Sequence, residues 1–103
     1  MFKTTKITKE DEKILAHLIP VGEYADTYFC FIYYKNKGEF MYSVFDKVKK
    51  WVEKNGGRCD RVSNKKIIGE RKGFECKIVF PTFAVRNMKE IMATLYERSS
   101  KWK

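Results

Sequence analysis

The stretch Thr27-Tyr28-Phe29-Cys30-Phe31-Ile32-Tyr33-Tyr34 constrains the fold more than any other part of the chain. It contains no Gly, Pro or charged residue, and nearly every side chain is β-branched or aromatic. Such residues suit a pleated, packed surface, and the length suits a strand rather than a helix. In an extended chain Tyr28, Cys30, Ile32 and Tyr34 share one face, and Phe29, Phe31 and Tyr33 share the other. Both faces are apolar, so the segment reads as a strand near the centre of its sheet, covered on both sides.

Helical patterns flank it. Thr8 is a good N-cap, and Asp11 stands three residues on, where a capping-box acid belongs. Ile14, Leu15, Leu18 and Ile19 form one apolar stripe that Pro20 terminates, which predicts a first helix from Thr8 to Pro20. His17 falls off that stripe and reads as a surface residue. Val21 to Asp26 reads as a connection, and Lys35-Asn36-Lys37-Gly38 as a turn. Met41, Val44, Phe45, Val48, Trp51 and Val52 carry the strongest helical period in the chain, predicting a helix over Glu39 to Lys54. Asp46 and Lys50 are spaced for an i,i+4 ion pair, and Asn55-Gly56-Gly57 is a helix stop.

Arg58 to Ile68 reads as a second strand, followed by a basic hairpin turn, Gly69-Glu70-Arg71-Lys72-Gly73. Phe74, Cys76, Ile78 and Phe80 alternate with Glu75, Lys77 and Val79, a third strand with one packed and one wetter face. Val85, Met88, Ile91, Met92 and Leu95 predict a last helix over Phe83 to Arg98, with an Arg86–Glu90 pair on its surface. The order is α-β-α-β-β-α. It implies one α+β domain over residues 1–103, a small antiparallel-rich sheet of three to four strands with helices packed against it. The type is ferredoxin-like, or split β-α-β. A fourth strand would come from Phe2 to Ile7, or be absent.

A chain of 103 residues can bury a real core. With aromatic content at 16%, much of that core must be rings. The cysteines, Cys30, Cys59 and Cys76, are odd in number and form no CxxC, which argues against a disulfide framework or a zinc site. They read as reduced and buried, in a cytoplasmic compartment. No apolar run reaches the ~18 residues of a membrane span, and no signal-peptide pattern follows the N-terminus.

Charge is uneven. Residues 1–34 carry four Lys against five acids, residues 35–72 carry twelve Lys and Arg against five acids, and residues 73–103 carry six against three. The middle third therefore holds most of the net charge of +9. Such a field attracts polyanions. The candidate contacts are Lys47, Lys50 and Lys54 on one helix face, Arg58 and Arg61 at the helix exit, Lys65 and Lys66 on the second strand, and Arg71 and Lys72 at the hairpin. Tyr33, Tyr34 and Trp102 are candidate base-stacking rings.

Two resemblances bear on function. Lys72-Gly73-Phe74 resembles the opening of the RNP1 signature of the RNA-recognition-motif family. The pattern then departs, with Glu75, Cys76 and Lys77 in place of a small residue, an aromatic and Val. Turning Phe74 and Cys76 outward would also bury Glu75 and Lys77, at several kcal/mol, so Phe74 and Cys76 are expected inside. Glu75-Cys76-Lys77 resembles the ExK half of a PD-(D/E)xK nuclease site, with Asp60 and Glu53 as accompanying acids. Asp60, however, lies on the first strand after the helix, and no Pro precedes it. One histidine leaves little for Ser-His-Asp or Cys-His chemistry, and there is no phosphate-binding Gly-rich loop.

The residues thus point to a small basic, non-enzymatic binding protein without a cofactor or metal. Its expected partner is nucleic acid, RNA or single-stranded rather than duplex, because no helix-turn-helix context is present. The competing reading is a phage-type inhibitor or adaptor whose basic side covers an acidic protein surface, and the third is a metal-dependent nuclease.

Overall fold

The computed structural model describes residues 6–33, 41–62, 66–68 and 71–99. Among these residues, three helices and an antiparallel sheet make an α+β fold. In chain order the elements are α1 (Lys9–Leu15), β1 (Leu18–Tyr24), β2 (Thr27–Tyr33), α2 (Met41–Lys54), β3 (Arg58–Arg61), β4 (Lys66–Ile68), β5 (Arg71–Val79) and α3 (Met88–Ser99). The sheet order is β1-β2-β5-β3, with β4 pairing further along β5. β2 and β3 are both antiparallel to β5, so they run parallel to each other, joined through α2.

The organising strand is central, as its composition requires. β2 pairs with β1 on one side and with β5 over its full length on the other, from Thr27 opposite Val79 to Tyr33 opposite Gly73. Tyr28, Cys30 and Ile32 face the helices, together with Phe74, Cys76 and Ile78 of β5 and Cys59 of β3. Against them pack Ile14 and Leu15 of α1, Val44, Val48, Trp51 and Val52 of α2, and Met88, Ile91, Met92 and Leu95 of α3. Burying each large side chain contributes about 1.5–3 kcal/mol. Edge contacts between Trp51 and Phe80 and between Phe45 and Phe74 add directional aromatic packing.

The other face of β2 is apolar too, and Phe31 and Tyr33 are buried there, away from the helices. The Phe31 ring lies over Gly73, where a side chain would meet that ring and the carbonyl of Ile32. Glycine in this strand therefore serves close approach.

Three expectations are corrected. The first helix ends at Leu15, and Leu18 to Pro20 belong to β1. Pairing Leu18 with Ile32 buries Leu18 completely, so the tertiary partner outweighs the helical stripe. β1 and β2 are joined by a two-residue turn in which Ala25 takes a positive φ of 54°. Hairpin turns of this kind are normally marked by Gly or Asn, and their absence hid the strand. The fourth sheet position is thus filled by residues 18–24; Phe2 to Thr5 lie outside the described residues. The last helix starts at Met88 instead of Phe83, because the Asn87 carboxamide accepts from Glu90 N at 3.4 Å and caps it there.

The stretch Arg58–Ile68, expected as one strand, holds two, β3 and β4, whereas two local readings agree with the structure. Thr8 and Asp11 form the reciprocal capping box, and Gly56 ends α2 at φ 86°. His17 is half-buried rather than solvated, its Nδ1 3.2 Å from the Tyr33 carbonyl.

Candidate polyanion interface

α2 is amphipathic because its apolar residues recur every three or four positions. With Val44, Val48, Trp51 and Val52 turned to the core, Lys47, Lys50 and Lys54 are left on the outer side. The helix packs against the edge strand β3. Arg61 of β3 lies on the helix side of the sheet, its guanidinium 5.8 Å from the Phe74 ring centroid. Phe74 in turn touches Phe45 of α2. The lysine row and Arg61 therefore share one side of the molecule. Arg58 is turned to the opposite, helix-free face, where it joins Asp60 at 3.2 Å.

The remaining candidates lie farther along the same edge or outside the described residues. Lys66 is in β4, with its backbone opposite Gly73, and Arg71 and Lys72 are in β5 opposite Ile68 and Ile67. The strand thus starts earlier than the expected hairpin turn allowed. Lys65, Tyr34 and Trp102 lie outside the described residues. Tyr33 is buried and unsuited to stacking on a base.

Several cations have local acidic partners. Lys50 pairs with Asp46 at 3.0 Å, the spacing expected from sequence, and Lys54 of α2 pairs with Glu10 of α1 at 2.8 Å. In these two pairs and in Arg58–Asp60 both side chains are half or more exposed. Such pairs are worth ~0–1 kcal/mol and exchange readily for a stronger anion. Among the described residues, Lys47 and Lys49 have no ion-pair partner.

A polar junction not foreseen from sequence lies at the foot of α2. Asp11 is 1% exposed and receives four donors: the Trp51 indole at 2.8 Å, the Thr8 amide at 2.8 Å, and Arg86 Nη1 and Nη2 at 3.1 and 2.8 Å. Arg86 also donates to the Lys6 carbonyl at 2.9 Å, and Asn55 holds the Trp51 carbonyl at 2.8 Å. Burial alone raises the Asp11 pKa, but the hydrogen bonds from Arg86, Thr8 and Trp51 outweigh it and hold the carboxyl well below its usual range. Arg86 was expected to pair with Glu90 on the last helix; it lies before α3 and closes the junction instead. The capping box was the only sequence signal that pointed at Asp11.

Phe74 and Cys76 are fully buried beneath the helices, so an RNP1-type platform is not formed. Glu75 and Lys77 lie on the helix-free face, and Asp60 stands opposite Lys77 across β3 and β5. Among the described residues no group of three His, Cys, Asp or Glu side chains is placed to hold a metal. Cys30, Cys59 and Cys76 are buried free thiols. No helix among the described residues is long and apolar enough to cross a membrane. Neither family models, nor curated proteins, nor solved structures provide a match to this chain.

Proposed function

We propose that this protein is a small non-enzymatic binding module for single-stranded nucleic acid, RNA in preference to duplex DNA, acting as a regulator. The supporting observation is the packing of α2 against β3, which leaves Lys47, Lys50 and Lys54 in a row on the same side as Arg61. A phosphate chain along that row would displace the weak acidic partners of Lys50 and Lys54. The backbone of Lys66 in β4 and of Arg71 and Lys72 in β5 lies farther along the same edge, and these residues are proposed to extend the contact. Cys30 and Cys76 stand opposite each other on β2 and β5 and remain thiols, which fits a reducing, cytoplasmic compartment.

A labelled oligouridylate titrated with protein tests the reading. Binding is expected at ~50 mM salt and falls steeply as salt rises, by ~0.7 in log–log slope per phosphate neutralised. No binding at ~50 mM salt overturns it. That outcome favours the second reading, an inhibitor or adaptor that covers an acidic protein surface. Its apolar contacts would be the exposed Phe83 and Val85, of which Val85 lines the cleft with Lys54.

A further inference from the structure

Phe83 is 86% exposed, the most exposed large apolar residue among those described. It lies between β5 and α3, on the connection from Phe80 to Asn87, and that connection is firmly tied down. Phe80 N donates to the Asp26 carbonyl at 3.1 Å, Ala84 N to the Pro81 carbonyl at 2.9 Å, and Val85 N to the Asn55 carbonyl at 3.2 Å. Arg86, three residues beyond the ring, is locked on Asp11. Gly56 lets the connection come this close, since a Cβ there would stand 2.9 Å from Val85 N. The ring is therefore held out in water by an ordered turn.

Farther along the same connection, Val85 and Arg86 border a cleft that also holds Lys6 and Lys54. This cleft of about 430 Å³, bordered by Lys6, Lys54, Asn55, Val85 and Arg86 with Glu10 at its rim, continues from the foot of the α2 lysine row to the Phe83 connection. That volume falls in the ordinary range for a small-ligand site. Asp11 is buried and neutralised by Arg86, which leaves Glu10 as the exposed carboxylate of the cleft against Lys6 and Lys54.

We propose that Phe83 is a stacking platform for one base of a single-stranded nucleic acid, with the adjoining phosphate held by Lys6 and Lys54 in the neighbouring cleft. This rests on the nucleic-acid reading and names the ring that the sequence sought in Tyr33, Tyr34 and Trp102. Single-strand binders combine a cationic track with rings on which bases stack, whatever the sequence. A protein partner fits less well. Phe83 and Val85, separated by the half-buried Ala84, do not make the ~800 Å² per partner that a stable protein interface buries. The pinned turn also means that little ordering is lost when a base docks.

The test measures anisotropy of labelled oligouridylate and oligodeoxythymidylate, about ten nucleotides long, at ~50 mM salt. Phe83→Ala is expected to weaken binding about five- to hundredfold with the salt slope unchanged, since no charge is removed. Phe83→Trp is expected to retain affinity, and its added emission to be quenched on saturation. Wild-type binding that Phe83→Ala leaves intact, or unquenched emission from saturated Phe83→Trp, overturns the stacking role while the wider nucleic-acid reading stands. Loss of self-association in Phe83→Ala, seen by sedimentation with oligonucleotide affinity unchanged, overturns it in favour of a contact between copies. Wild-type protein that binds neither oligonucleotide removes both proposals together.

Discussion

The Trp51 indole and the Asp11 carboxylate, forty residues apart in sequence, meet at 2.8 Å in the interior. Their bond joins the last turn of α2 to the first turn of α1, and Arg86 seals it from the α3 side. Three elements that share one core are thereby fixed in register at one end. Asp11→Asn keeps the shape but leaves Arg86 without its counter-charge. Breaking a buried ion pair costs ~3–5 kcal/mol. Arg86 is 28% exposed, so the lower end, about 3 kcal/mol, is expected. Urea unfolding checks this, and an unchanged midpoint would show that the junction contributes nothing.

The same carboxylate sets an acid limit. Its pKa is lowered in the folded state, so its contribution is present above the unfolded value of 3.8 and fades as pH falls below it. Thermal melts between pH 7 and pH 2 should show stability dropping below about pH 4. Asp11→Asn should flatten the drop.

At the alkaline end the thiols act in the opposite sense. Burial, with the neighbouring Cys59, pushes Cys30 up to about 12 from 9.0. Contact with the Cys59 thiol, followed by burial, drives Cys76 upward as well. A raised folded pKa stabilises below the unfolded value and is lost as pH climbs through the folded one, so stability should decline between about pH 9 and 12. Native protein at pH 8 should react with a thiol reagent many times more slowly than urea-unfolded protein. Rapid labelling of the native form would contradict the buried assignment.

Phe31 anchors the sheet face that the helices leave. Phe31→Ala is expected to cost ~3–5 kcal/mol, as removal of a buried ring does, even though Phe31 lies outside the main core cluster. An unchanged melting temperature would show that this face packs nothing of consequence.

Charge changes on α2 separate free from engaged cations. Lys47→Glu should weaken oligonucleotide binding severalfold without altering the melt, because Lys47 is exposed. Asp46→Asn should strengthen binding by releasing Lys50 from its 3.0 Å partner. Reversing Arg71 and Lys72 together should also weaken binding. Equal affinity across these variants would argue against the α2–β3 side as the contact.

Long periodic segments were legible in the sequence. β2, α2 and β5 declared themselves through composition and spacing, and the inward Phe74–Cys76–Ile78 face followed from alternation alone. Features that depended on a distant partner were not. Leu18 fitted the helical stripe, and pairing with Ile32 overrode it. Val85 matched the α3 period, yet it is 72% exposed because Asn87 delays the helix. Among the site residues, a row of lysines on α2 could be read, but their acidic partners could not, since Glu10 reaches Lys54 only through the α1–α2 contact. The Phe83 ring was assigned to a helix, and only the turn at Pro81–Ala84 shows it standing free.

β1 forms one rim of the sheet, and its register shifts between Pro20 and Gly22, with Val21 between them. Pro20 brings no amide hydrogen to that rim, and the irregularity bends it away from a flat template. A basic, aromatic-rich chain stored at high concentration is for that reason poorly suited to growing end-to-end sheets from this margin. Fibril nucleation, if provoked, would have to begin elsewhere.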